Sequence, residues 1–146
     1  MKYKQGETSG LMVSEASLAY QKDPASIVER VLEGLPVAEF DALREMLNLP
    51  VDKMAALIGI SVATLSRRRA KAERLDRDHS DRLMRYARLY WLTVDFFEGD
   101  HTTASDWLAR PARGLCGQTP LKFAETEIGA REVEDLIGRL EHGVYV

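Results

Sequence analysis

Three consecutive arginines, Arg67, Arg68 and Arg69, with Lys71 close behind, form the densest cluster of chemistry-bearing side chains in the sequence. Guanidinium groups are permanent cations whose planar fork matches phosphate oxygens and the guanine edge, so such a run points to a polyanion. The preceding residues give it a geometry. The chain reads Ala55-x-x-x-Gly59-Ile60-Ser61-x-x-x-Leu65. A small residue allows two helices to cross closely, and a glycine supplies a tight turn of positive φ. Ile60 then tucks inward, Ser61 caps the next helix, and Leu65 faces the core. This is the arrangement of a helix-turn-helix, which lays the start of its second helix in the major groove. There Ala63, Thr64 and Arg67 face base edges, with Ser61 beside a phosphate at the helix start. Arg68, Arg69 and Lys71 lie further along and meet phosphates. Arg68 stands where many such motifs carry a last apolar residue, which predicts a less buried end to the helix. The competing reading is a plain helical hairpin with a solvated arginine run. Turn, cap, apolar spacing and local charge agree on DNA.

Other reactive residue types form no comparable pattern. Arg82, Arg85 and Arg88 recur every three residues and predict a solvated face with ion pairs, with DNA backbone contact as the alternative. His79, His101 and His142 are far apart, with no cysteine or carboxylate at ligand spacing, so no metal site is expected. Cys116 is the single cysteine and has no histidine partner close in sequence, which argues against nucleophilic catalysis and excludes an internal disulfide. No phosphate-cradling glycine loop is present, and no cofactor is expected. Trp91, Trp107 and the aromatic residues near them suit a core or an interface better than a base-stacking platform.

These groups must be positioned by helices. In a chain of 146 residues with 45% hydrophobic residues a core can form. The net charge of -3 hides a segregation: residues 61–90 hold 9 Lys/Arg against 4 Asp/Glu, whereas residues 91–146 hold 5 against 10. A basic middle between acidic flanks implies one local polyanion surface. Apolar residues recur at helical spacing. Ile27, Val28, Val31 and Leu32 stripe a first helix capped by Asp23 and stopped by Gly34, and a second helix follows Pro36. A third begins near Pro50 and a fourth at Ser61. Arg77 to Phe97 is the longest helix. A short helix spans about Ala104–Ala109, another opens at Thr119-Pro120, and a last one has Thr126 as N-cap. On its outer face Arg131–Asp135 and Asp135–Arg139 form i,i+4 pairs. The expected fold is all-α: a helix-turn-helix lobe, a long helix and a small helical C-terminal lobe. The expected division is a flexible arm at 1–22, a DNA-binding domain at 23–76 and a second domain at 77–146. No run is long and apolar enough for a membrane helix or a signal peptide, so a cytoplasmic location is expected.

The last third carries a resemblance. The step Gly117-Gln-Thr-Pro120, the stretch Thr126 to Val133 and the ending Gly143-Val-Tyr-Val146 resemble the toxin-binding domain of the Xre/MbcA/ParS antitoxins. The helix-turn-helix with its arginine tail and the long helix after it also match, so the resemblance covers about residues 25–146. One departure is Cys116, where a small residue such as glycine is common. The resemblance implies a non-enzymatic antitoxin that neutralises a RES-domain toxin, which consumes NAD⁺. It implies a homodimer that represses its own operon and covers the toxin's active site. Trp107, Arg113, Glu141, His142 and Gly143 are then toxin-facing candidates. Helical order ends at Gly143, and Val144, Tyr145, Val146 and the terminal carboxylate project as an arm. Tyr145 and the carboxylate suit a pocket built for a dinucleotide. In the absence of the resemblance, Tyr145 packs back on its own domain. Two other functions stay open: a helix-turn-helix repressor whose C-terminal lobe only dimerises or senses a ligand, and a helical enzyme or adaptor binding an anionic metabolite.

Overall fold

The computed structural model describes residues 24–143, and within them every regular element is helical. The chain divides into two compact units, one reaching to Arg88 and one starting at Leu89. The elements are α1 (Pro24–Glu33), α2 (Val37–Leu47), α3 (Val51–Ile58), α4 (Val62–Ala70), α5 (Arg77–Phe96), α6 (His101–Leu108), a 3₁₀ turn (Arg113–Leu115), α7 (Pro120–Phe123) and α8 (Glu127–Glu141). The expected arm at 1–22, the Asp23 cap and the tail Val144–Val146 lie outside the described residues.

In the first unit, Ile27, Val31, Leu35, Phe40, Leu43, Met54, Ile58, Leu65, Leu83 and Tyr86 are buried. Each such large side chain contributes about 1.5–3 kcal/mol of transfer free energy. The stripe expected on α1 is narrower than the sequence suggests. Ile27 and Val31 are buried, but Val28 is 56% and Leu32 51% exposed. They lie one residue round the helix from the buried pair, beyond the edge of the core.

The loops of this unit are knitted by named bonds. The backbone N–H of Leu75 donates to the carbonyl of Leu35 at 2.9 Å. The N–H of Leu35 in turn donates to the buried Ser80 hydroxyl at 2.8 Å. Arg74 Nη1 donates to the Gly34 carbonyl at 2.9 Å. Gly34 has φ +95°, and a Cβ there would lie 2.3 Å from the carbonyl oxygen of Leu75, so only glycine fits.

In the second unit Ala104, Leu108, Leu115, Leu121, Val133, Leu136 and Ile137 are buried. The start of α6 is three residues earlier than the sequence pattern predicts, because Asp100 caps it by accepting the Thr103 N–H at 3.0 Å. Thr119 and Thr126 cap α7 and α8 through their hydroxyls. The two ion pairs expected on the outer face of α8 are not the ones formed. Arg131 Nε instead lies 3.9 Å from Glu127, one turn towards the helix start. A carboxylate in that first turn also suits the positive end of the helix dipole.

Candidate nucleic-acid and partner surfaces

The turn between α3 and α4 follows from its sequence. Gly59 adopts φ 77° and ψ 22°, and α3 ends with Ile60 N–H on the Ala55 carbonyl at 3.0 Å and Gly59 N–H on the Ala56 carbonyl at 3.2 Å. This paired closure needs a left-handed residue, which glycine adopts without strain. Ala55, Ile60 and Leu65 are all buried. Ser61 caps α4: its hydroxyl accepts the Thr64 N–H at 3.0 Å and donates to Thr64 Oγ1 at 2.8 Å. The Ser61 hydroxyl is thus committed to its own helix.

The basic residues of α4 sort into two groups. Arg67 and Lys71 are exposed, and neither side chain has a hydrogen-bond partner among the described residues. Ala63 is exposed and Thr64 half-buried on the same helix. Arg68 and Arg69 are turned back on the protein. Arg68 Nη1 donates to the Arg74 carbonyl at 2.7 Å. Arg69 forms a forked pair with Asp41, its Nη2 donating to Oδ1 at 3.0 Å and its Nη1 to Oδ2. The Asp41 hydrogen bond, with its charge, holds the Arg69 pKa above its ordinary value against a smaller desolvation penalty. With Arg74 on Gly34, these arginines border a cleft of about 410 Å³ at the exit of α4. Each of the three has part of its guanidinium engaged by the fold, Arg68 through Nη1, Arg74 through Nη1 and Arg69 through both Nη1 and Nη2.

Arg82 is also different from the sequence expectation. It is half-buried and donates from Nη1 to the Ile58 carbonyl at 3.2 Å, at the turn itself. His79 Nε2 lies 3.3 Å from the Gly59 carbonyl. Two residues of α5 therefore hold the turn from behind. The signal in the sequence was a cation and an imidazole one helical turn apart, but periodicity cannot say which loop they meet.

In the second unit Tyr90 hydroxyl and His101 Nδ1 are 2.7 Å apart, and Trp91 packs edge-on against both rings. Burial pushes the Tyr90 pKa up, opposed by a hydrogen bond to Ser105. Trp107 is half-buried with its ring 6.5 Å from that of Phe97, and Arg113 is exposed in the 3₁₀ turn. Glu141, His142 and Gly143 are exposed at the end of α8, and His142 Nδ1 lies 2.9 Å from the Gly138 carbonyl. Sequence reasoning missed Ile128, which is 78% exposed in the first turn of α8. Cys116 is exposed and holds φ 57°, a left-handed conformation that glycine takes freely. Among the described residues no cluster of His, Cys, Asp and Glu could hold a metal ion. No described helix is long and apolar enough to cross a membrane.

Residues 26–88 match the family described as the antitoxin Xre-like helix-turn-helix domain, and residues 92–143 match the antitoxin Xre/MbcA/ParS C-terminal toxin-binding domain. The chain is 37% identical over 119 residues to Antitoxin Xre of Yersinia enterocolitica, covering 82% of this chain and 80% of that protein. The chain belongs to the Xre antitoxin family. Antitoxin Xre of Photorhabdus laumondii is 38% identical over 112 residues, 77% of this chain and 76% of the relative. Antitoxin Xre of Pseudomonas putida is 31% identical over 84 residues, 58% of this chain and 52% of the relative. Membership gives each unit its broad role. The helix-turn-helix unit is a DNA-binding module, and the second unit is a toxin-binding one. An antitoxin of this family is a binding and regulatory protein and not an enzyme.

Proposed function

We propose that this antitoxin works in a type II pair, in which it occludes the active site of a RES-type, NAD⁺-consuming toxin and represses its own operon. The observation that carries the reading is the joining, in one chain, of a complete helix-turn-helix turn to a toxin-binding domain. On the DNA side Arg67 is the base-reading residue, supported by its exposure beside Ala63 and Thr64. Lys71 meets phosphate. Arg68 and Arg69 act mainly by fixing the exit of α4, with Arg69 offering its remaining exposed edge to the DNA backbone. On the toxin side the contact residues are Glu141 to Gly143 at the end of α8 and the following Val144, Tyr145 and Val146, together with Trp107 and Arg113. Ile128 adds an exposed apolar contact.

A second copy completes the operator, because one such motif reads a half-site. Val28 and Leu32, exposed one turn apart on α1, are better placed for that contact than Trp91 and Phe96, which are half-buried against their own neighbours. The test is reconstitution of the full chain with the product of the neighbouring toxin frame. The expected results are a stable complex, loss of NAD⁺ hydrolysis in proportion to antitoxin added, and a sequence-specific shift of the operon's own promoter fragment. Promoter binding with no effect on the toxin would favour a plain repressor.

A further inference from the structure

The helix α8 contains two glycines in its interior, and the fold explains only one of them. At Gly129 a Cβ would lie 1.7 Å from the carbonyl oxygen of Phe123, so that turn of helix can form only around glycine. At Gly138 a Cβ would meet nothing within 4 Å among the described residues, and the φ there is not positive. Gly138 sits near the middle of the outward face, opposite the buried Val133, Leu136 and Ile137. Glycine in a helix interior is unfavourable relative to alanine, because the chain gives up more freedom and gains no packing. A glycine that the packing of the described residues does not require fits a site where another backbone approaches closely. Around it Glu134, Asp135, Arg139 and His142 border a shallow depression of about 430 Å³. The helix carries five carboxylates against two arginines, so a basic surface complements it.

We propose that the outer ridge of α8 at Gly138 is the seat of a backbone segment of the toxin, basic in character, at a distance that no side chain larger than hydrogen permits. This rests on the antitoxin reading and extends the contact surface one full turn up the helix from His142. The ridge runs along α8 towards Glu141 and His142, the contact region proposed above.

The test uses full-length wild type, Gly138→Ala and Gly138→Leu, with the toxin purified as an inactive variant. Thermal melts are measured on the antitoxin alone, and affinities by calorimetry. Gly138→Ala should raise Tm by roughly 3 °C, since a helix former replaces glycine in open space. The same change should weaken toxin binding about tenfold, and Gly138→Leu about a hundredfold, while operator affinity stays at the wild-type value. Opposite signs for stability and binding are what a purely structural glycine would not give. Wild-type affinity in Gly138→Leu would overturn the proposal. So would a fall in Tm for Gly138→Ala, which would mean that the chain's own residues occupy the space. Failure of the wild type itself to bind the toxin would count instead against the antitoxin reading.

Discussion

Arg82 Nη1 donates to the carbonyl of Ile58 at 3.2 Å, so the cation of one helix closes the last turn of another at the point where the DNA-reading motif bends. A Cβ on Gly59 would lie 3.0 Å from that same Nη1. The turn and the guanidinium are thus fitted to each other. Arg82→Ala should cost about 1.5–3 kcal/mol, the range for a hydrogen bond from a charged donor. Gly59→Ala should cost about 1–2 kcal/mol through its positive φ, with the crowding of Arg82 Nη1 added to it. Urea denaturation gives both values, and operator affinity should fall with each through the altered placement of α4. A stability unchanged by both substitutions would remove Arg82 from this role.

The Arg69–Asp41 pair makes a separate prediction about salt. Asp41 neutralises a guanidinium at the exit of the recognition helix. Asp41→Ala should release that charge, strengthen binding to any DNA sequence and steepen the dependence of log K on log salt by about one unit. Arg67→Ala should instead cost about 1–3 kcal/mol on the operator and little on random DNA, as expected for a bidentate base contact. Gel-shift titrations at several salt concentrations separate the two patterns.

Much of this was legible in the sequence, for identifiable reasons. Gly59, Ser61, Thr119 and Thr126 carry local turn and cap chemistry, and each took its expected place because that chemistry acts within three or four residues. The partners of Arg68, Arg69 and Arg82 were not legible. Arg69 meets Asp41, 28 residues away, and Arg82 meets Ile58, 24 residues away, and no periodicity reports contacts at that range. A run of arginines looks equally cationic whether its members face solvent or are folded back. The reach of the α1 stripe also failed at its edge, at Val28 and Leu32, because spacing defines a face but not how far the core extends beneath it.

Two alanine-like turns carry avoidable strain. Ala72 has φ 54° and Cys116 φ 57°. Left-handed backbone disfavours residues with a Cβ. Ala72→Gly and Cys116→Gly should each stabilise the fold by about 0.5–1 kcal/mol, after the greater freedom of glycine in the unfolded chain is offset. Thermal melts under reducing conditions would register the gain. A loss of stability at Cys116 would show that its side chain has a packing role that its exposure does not suggest.

Acid should loosen the start of α6 selectively. The Asp100 carboxylate accepts from the Thr103 hydroxyl and backbone N–H, which holds its pKa below the ordinary carboxylate value. A depressed folded pKa stabilises the native state above the unfolded value, and that contribution is lost as pH falls through the folded one. Protection of the Thr103 amide, taken relative to its intrinsic exchange rate, should therefore fall below the usual carboxylate range, and Asp100→Asn should abolish most of that pH dependence. Equal acid sensitivity in the variant would place the titrating group elsewhere.

The most direct measurement of the proposed division into a DNA surface and a toxin surface is rescue of cells producing the neighbouring toxin, scored by intracellular NAD⁺, alongside promoter binding by the same variants. Wild type should restore NAD⁺ and bind its promoter. Arg67→Ala should restore NAD⁺ while losing the promoter, and removal of Val144 to Val146 should do the reverse, with Tyr145→Ala the most damaging single change in the tail. Full rescue by the tail-deleted protein at equal abundance would contradict the proposed blockade, and a wild type that leaves NAD⁺ depleted would contradict the account as a whole.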